Sequence, residues 1–105
     1  MPNHKIVFEN IGWESPNKGV TQKAFHKGKK KLRLLRFDED FVENDWCLKG
    51  HVGYVLEGKM EINFNGKVQE YKKNDGLWIE EGASNKHKVI IKKGTFVTLI
   101  LFESE

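Results

Sequence analysis

Alternation of apolar and polar residues is the clearest pattern in the chain. Met60 to Phe64 changes character at every position, and Thr95 to Phe102 is mainly apolar with polar breaks. A period of two places alternate side chains on opposite faces of a β-strand. Short segments of this kind recur between turn residues, at 31–37, 51–57, 60–64, 67–72, 77–79, 87–91 and 95–102. The sequence therefore predicts an all-β domain, an antiparallel sandwich or a small barrel.

Turn residues separate these segments. Asn65-Gly66 lies between two strand-like segments and favours a tight hairpin, while Asn74-Asp75-Gly76 and Lys93-Gly94 mark further turns. The stretch Thr21 to Lys31 lacks a clear alternation, and we expect a helical turn there.

The length and composition of the chain indicate how many domains it forms and in which compartment we expect it. The chain has 105 residues, which is the length of one domain, and a net charge of +3. Its single cysteine excludes an internal disulfide and a four-cysteine zinc site. It has no apolar stretch near the roughly 20 residues that a membrane helix needs. We expect a soluble, cytoplasmic protein without a membrane partner.

Two glycine-containing segments carry a family resemblance. Residues 50–62 (GHVGYVLEGKMEI) are similar to the first motif of the cupin superfamily, and residues 74–85 (NDGLWIEEGASN) resemble its second motif. One predicted hairpin separates them, as in that family. The resemblance implies a small single-domain cupin with a double-stranded β-helix, a jelly-roll barrel enclosing a pocket. It also implies that residues 31–105 form the barrel and residues 1–30 pack on it.

The resemblance places unusual residues at the metal-ligand positions. Counting from the motif glycines assigns these positions to Asp45, Cys47, His51 and Asn85, so none keeps the usual family residue. Alternation would turn Asp45 with Cys47, and Asn85 with His87, towards one cavity. We therefore predict that these five residues bind a ligand.

A thiolate with two imidazoles suits Zn²⁺, so Cys47, His51 and His87 are also candidate metal ligands. The other interpretations are a polar pocket that has lost its metal and a Cys47 nucleophile with a histidine base. No cofactor is specified beyond a divalent metal such as Zn²⁺. Val55, Val89 and Ile91 are the expected apolar walls.

Three functions stay open at this point. The first is binding of a small polar or anionic metabolite in the barrel, with the usual ligands replaced. The second is a metal-dependent enzyme of isomerase or oxygenase type using Cys47, His51 and His87. The third is a regulatory or interaction module without chemistry, using the basic stretch Lys18 to Arg36. The sequence leaves open whether the protein is an enzyme. We expect a homodimer, and we do not expect nucleic acid as a partner because no nucleic-acid motif accompanies the basic residues.

Overall fold

The computed structural model describes residues 4–104, which form an all-β structure. Its strands are β1 (Val20–Lys27), β2 (Lys30–Phe37), β3 (His51–Phe64), β4 (Lys67–Lys72), β5 (Gly76–Ile79), β6 (Lys88–Ile90) and β7 (Val97–Ser104). Short 3₁₀ turns lie at Phe8–Asn10 and Ala83–Asn85. The predicted all-β class is therefore confirmed. No helix within residues 4–104 is long and apolar enough to cross a membrane.

The long strand β3 belongs to two sheets. In the first sheet, the first half of β3 lies between β5 and β7. Strand β7 also pairs with β2, and β2 pairs with β1. Its second half pairs with β4 and β6. All these pairings are antiparallel, and the ladder with β7 is interrupted by a bulge between Val55 and Glu57. A bulge bends a strand, so it helps β3 to pass from one sheet to the other.

The β3–β4 hairpin has the predicted turn. Asn65 and Gly66 both have positive φ values, 52° and 102°, as a tight two-residue hairpin turn requires. Phe64 and Lys67 face each other across it. Asn63 Oδ1 also accepts a hydrogen bond from the Gly66 amide at 2.6 Å.

The helical turn expected over residues 21–31 is wrong. Val20 to Lys27 is strand β1, and it pairs with β2 along its whole length. The expectation failed because basic residues obscure the alternation, whereas cross-strand hydrogen bonds decide the conformation. The predicted boundary at residues 30/31 falls at the start of β2, and the terminal residues 1–3 and 105 lie outside the described part of the chain.

The inward side chains of the strands form one core. Leu35, Val55 and Val97 are fully buried, and each such side chain contributes about 1.5–3 kcal/mol by leaving water. The other buried apolar residues are Val20, Phe37, Met60, Ile62, Leu77, Ile79, Ile91, Leu99 and Leu101. Along β7 the inward series Val97, Leu99, Leu101 ends in Glu103, which is also buried. The core therefore passes from apolar to charged residues at this end of the barrel.

Gly58 allows a close approach between β3 and the chain before β7. Its φ is +77°, and any Cβ there would collide with the backbone carbonyl of Phe96. That carbonyl accepts a hydrogen bond from the Lys59 amide at 2.8 Å. Only glycine combines the left-handed conformation with this contact.

Candidate metal centre and its cavity

A backbone bridge brings two distant segments together at the charged end of the barrel. The Cys47 amide donates to the His87 carbonyl at 2.9 Å, and the His87 amide donates back at 3.1 Å. His51 is the first residue of β3, four positions after Cys47. The three side chains consequently meet although 40 residues separate Cys47 from His87.

Their potential ligand atoms form a tight cluster. One atom from each of Cys47, His51 and His87 lies within 4.8 Å of the other two. The Cys47 Sγ is 3.5 Å from His51 Nε2, and the two imidazole rings pack edge to face with centroids 5.1 Å apart. The cluster is half-buried at Cys47 and His51 and buried at His87.

Glu103 holds the far side of the His51 ring. Its Oε2 lies 2.7 Å from His51 Nδ1, and its Oε1 lies 2.8 Å from Arg33 Nε and 3.6 Å from Lys31 Nζ. The nitrogens of His51 and Arg33 do not point directly at these oxygens, so the contacts are close ion pairs rather than well-aligned hydrogen bonds. They leave His51 Nε2 facing the thiol.

The thiol and the imidazole favour each other's charged form. Hydrogen bonds from His51 and His87 lower the pKa of Cys47 from 9.0 to about 5. Burial by itself lowers the pKa of His51, but Cys47 and Glu103 outweigh burial and raise it from 6.5 to about 9. At neutral pH the pair is therefore a thiolate beside an imidazolium.

The remaining polar groups at the cluster are also held in place. His87 Nδ1 lies 3.0 Å from the Asn85 backbone carbonyl, and a ring N–H there donates to that carbonyl. Burial by itself lowers the pKa of His87, but the hydrogen bonds to Cys47 and to Asn85 raise it overall. Glu43 Oε1 accepts a hydrogen bond from the Val89 amide at 2.7 Å, and burial raises the pKa of Glu43.

A cavity of about 460 Å³ opens beside the cluster, within the size range of small-molecule sites. Its apolar wall includes Met60, Leu77 and Leu99, and its polar wall includes Gln22 and Lys49 besides the groups above. Val89 lines it as predicted, whereas Val55 and Ile91 are buried elsewhere in the core.

Three of the five predicted ligand-binding residues line this cavity, namely Cys47, His51 and His87. The expectation that Asp45 and Asn85 also line this cavity is wrong. Asp45 is exposed at a bend and lines a separate surface depression, and Asn85 ends a 3₁₀ turn. Alternation does not apply to either, because neither residue lies on a strand. Whether these five residues bind a ligand stays a prediction.

The sequence interpretation missed Glu103, Arg33 and Glu43. The first two carried a signal, because each lies on the same face of its strand as buried apolar residues, such as Leu35 in β2 and Leu101 in β7. A charge at such a position needs a partner. Glu43 lies in a segment without regular structure, where the sequence pattern gives no orientation.

The donor set fits a divalent metal. One thiolate and two imidazoles match the ligands of Zn²⁺ sites that keep a fourth position open. Tetrahedral geometry places such N and S atoms about 3.6 Å apart, close to the 3.5 Å between Cys47 and His51. No two of the three ligand atoms are farther apart than 4.8 Å, so the widest pair would need to close by at most about 1.5 Å.

Comparisons with known proteins give structural relatives only. No protein-family model and no curated protein matches the chain. The polyketide cyclase RemF from Streptomyces resistomycificus superposes with a TM-score of 0.79 at 15% identity, covering 98% of this chain and 80% of RemF. An RmlC-like cupin from Shewanella frigidimarina gives 0.76 at 18% identity, covering 98% and 91%. KdgF from a Halomonas species gives 0.76 at 16% identity, covering 99% and 96%. These likenesses confirm the predicted jelly-roll fold.

Proposed function

Because the chain has a small cupin-type fold, we propose that it binds a small polar or anionic molecule beside a divalent metal such as Zn²⁺. Cys47, His51 and His87 are the proposed metal ligands. The observation that carries the proposal is the convergence of their ligand atoms within 4.8 Å at the wall of the 460 Å³ cavity.

The surroundings of both histidines support this assignment. Metal-binding histidines commonly use their second ring nitrogen to contact a carboxylate or a backbone carbonyl. His51 Nδ1 contacts Glu103 and His87 Nδ1 contacts the Asn85 carbonyl, at 2.7 and 3.0 Å. The Nε2 atoms are thereby the ones left for a metal, which on binding would displace the proton that the imidazolium of His51 otherwise carries. The low pKa of Cys47 supplies a thiolate without an added base.

The charge around the cavity favours an anionic ligand. Lys31, Arg33 and Lys49 line it, and Glu103, which contacts the first two, supplies a single negative charge against these three cations. A divalent metal with one thiolate ligand would add further positive charge. A carboxylate or phosphate group on the ligand would therefore be stabilised at the open metal position.

Metal titration of the purified, metal-free protein tests the proposal. We expect stoichiometric binding of Zn²⁺ by calorimetry, and a thiolate-to-cobalt absorption band when Co²⁺ is added. Cys47→Ser should abolish the band, and His87→Ala should weaken binding at least tenfold. His26→Ala, which removes an exposed histidine outside the cavity, is the matched control. Loss of the band in the control, or normal Zn²⁺ binding by Cys47→Ser, would contradict the assignment.

The Co²⁺ form also reports on the ligand position. Azide, a small anionic probe, should change the cobalt spectrum by occupying the open position. Lys49→Ala should weaken this response because it removes an exposed cation at the cavity. A protein that binds no metal but still retains small anions would instead support the metal-free pocket predicted from the sequence.

An enzyme of isomerase type is the second candidate. The observation that favours it is Glu43, a carboxyl group with a raised pKa on the same cavity wall. Such a group holds its proton more readily than a free carboxyl group does, and it can act as a general acid or base towards a bound substrate. Glu43→Gln should then remove turnover while leaving Zn²⁺ affinity unchanged, whereas a pure binding protein would show no turnover to remove.

A further inference from the structure

The inner wall of the barrel changes character along two neighbouring strands. The inward residues of β2 and β7 pair in register, as Lys31 with Glu103, Arg33 with Leu101, Leu35 with Leu99, and Phe37 with Val97. The first pair is charged, whereas the last two pairs are apolar and buried. Since alternate residues of a strand share a face, the wall passes from charged to apolar groups along one line of side chains.

The cavity follows this line. Arg33 and Phe37 both line it, and they lie four residues apart on β2, which is about 13 Å along a strand. Strand β1 repeats the change of character. Gln22 Oε1 accepts a hydrogen bond from Arg33 Nη1 at 3.0 Å, whereas Val20 lies opposite Phe37. The cavity therefore has a charged end beside the candidate metal ligands and an apolar end at Phe37.

An aromatic pair forms the apolar end. The rings of Phe37 and Phe41 stack with their centroids 4.4 Å apart and their planes inclined by 20°. The loop that carries Phe41 is fixed to the N-terminal segment, because the Asp38 amide donates to the Gly19 carbonyl at 2.9 Å. The Phe41 amide in turn donates to the Asp38 carbonyl at 3.1 Å. Backbone contacts and ring stacking together hold Phe41 in the cavity wall.

The side chains between the two ends offer a ligand mainly apolar contacts. Met60, Leu77 and Leu99 line the cavity, while Asn17 and Glu43 lie where it adjoins the surface depression described above. A ligand hydroxyl placed against the apolar side chains would lose its hydrogen bonds to water without replacement, which lowers affinity at least about fivefold. A hydrocarbon group in the same place gains affinity by leaving water.

We propose that the ligand of this cavity is an amphipathic organic anion, with its head group at the charged end and a hydrocarbon body against Phe37 and Phe41. This inference rests on the proposed function, which places an anionic group beside the metal, and it narrows the ligand to one chemical class. Lys31, Arg33 and Lys49 attract the head group. A sugar acid would suit the charged end equally well, but its hydroxyl groups would face the apolar end.

A series of carboxylates tests the ligand class by NMR titration of the backbone amide resonances. Acetate, butyrate and hexanoate share a head group and differ only in hydrocarbon length. Two added CH₂ groups should lower the dissociation constant roughly tenfold. Gluconate has the six carbons of hexanoate but carries hydroxyl groups, and it should bind at least about tenfold more weakly than hexanoate. Hexyl phosphate, compared with hexanoate, identifies the preferred head group, and a preference for either one supports the proposal.

The same spectra locate the hydrocarbon chain. Hexanoate, but not acetate, should shift the amide resonances of Phe41 and Leu77. Phe41→Ala should weaken hexanoate binding about tenfold and acetate binding less than twofold. Phe25→Ala, at a 37% exposed position outside the cavity, is the matched control and should change neither. Circular dichroism checks that the variants fold, and the series on the wild-type protein decides the matter if Phe41→Ala does not.

Three results would overturn the proposal. They are dissociation constants for acetate, butyrate and hexanoate that agree within threefold, tighter binding of gluconate than of hexanoate, and hexanoate shifts confined to the exposed Trp78 and Phe102. Running the series on metal-free and on Zn²⁺-loaded protein separates this inference from the proposed function. A chain-length dependence that Zn²⁺ leaves unchanged would refute the metal site and keep the amphipathic ligand. Zn²⁺ binding without a chain-length dependence would refute the amphipathic ligand alone.

Discussion

Replacing Glu103 by glutamine tests the electrostatics of the buried end of the barrel. The substitution keeps the shape of the side chain but removes its negative charge. Glu103 is only 8% exposed and lies against His51, Arg33 and Lys31. We expect the variant to leave these cations without their common anion and to lose stability.

The pKa of Glu103 gives the magnitude. Burial by itself raises this pKa, but the contacts with His51 and Arg33 outweigh burial and lower it from 4.5 to about 2. At about 1.4 kcal/mol per pKa unit, this corresponds to roughly 3 kcal/mol of folding free energy. Because the folded-state pKa is the lower one, the contribution is complete above pH 4.5 and is lost as the pH falls towards 2.

His51 adds the opposite dependence at high pH. Its pKa is raised from 6.5 to about 9, so its contribution is complete below pH 6.5 and is lost as the pH rises through 9. The stability difference between wild type and Glu103→Gln should therefore be largest between about pH 5 and 6.5. It should vanish near pH 2 and decline only partly above pH 9, because Arg33 stays charged.

Urea unfolding of metal-free protein across this pH range measures the difference. Glu61→Gln is the matched control, because Glu61 pairs at 3.2 Å with a Lys92 that is 63% exposed. A surface pair contributes at most about 1 kcal/mol. Equal unfolding free energies for wild type and Glu103→Gln at pH 6 would refute the reasoning. So would a difference that persists unchanged at pH 2.

Three further predictions concern packing, backbone and reactivity. Leu99→Ala, at a fully buried position, should reduce the unfolding free energy by about 2–5 kcal/mol in urea, while Leu48→Ala at a 50% exposed position should change it by less than about 0.5. Gly58→Ala should lower the melting temperature because its Cβ collides with backbone, whereas Gly12→Ala, with open space around it, should not. Cys47 should react with iodoacetamide at pH 6 faster than free cysteine, since its pKa is about 5; a reaction that begins only above pH 8 would exclude the thiolate.

Local alternation was enough to predict the all-β class and most of the strands. Strand β7 and the Asn65-Gly66 hairpin turn are both predicted by residues that are next to one another in the sequence. Side-chain direction along a strand and the φ values of a tight turn are set within a few residues, so sequence carries them directly. The same signal failed over 21–31, where the pairing of β1 with β2 overrode an ambiguous local pattern.

The candidate site depended on contacts that no local pattern contains. Cys47 and His87 meet because their backbones bridge across 40 residues, and Glu103 reaches His51 because β7 lies beside β3. Asp45 and Asn85 were misplaced because a bend and a 3₁₀ turn interrupt the alternation there. The sequence alone therefore determined which residues can form strands and which groups can bind a metal. Only the tertiary structure decided which of those groups meet, because strand register is fixed by packing over the whole domain.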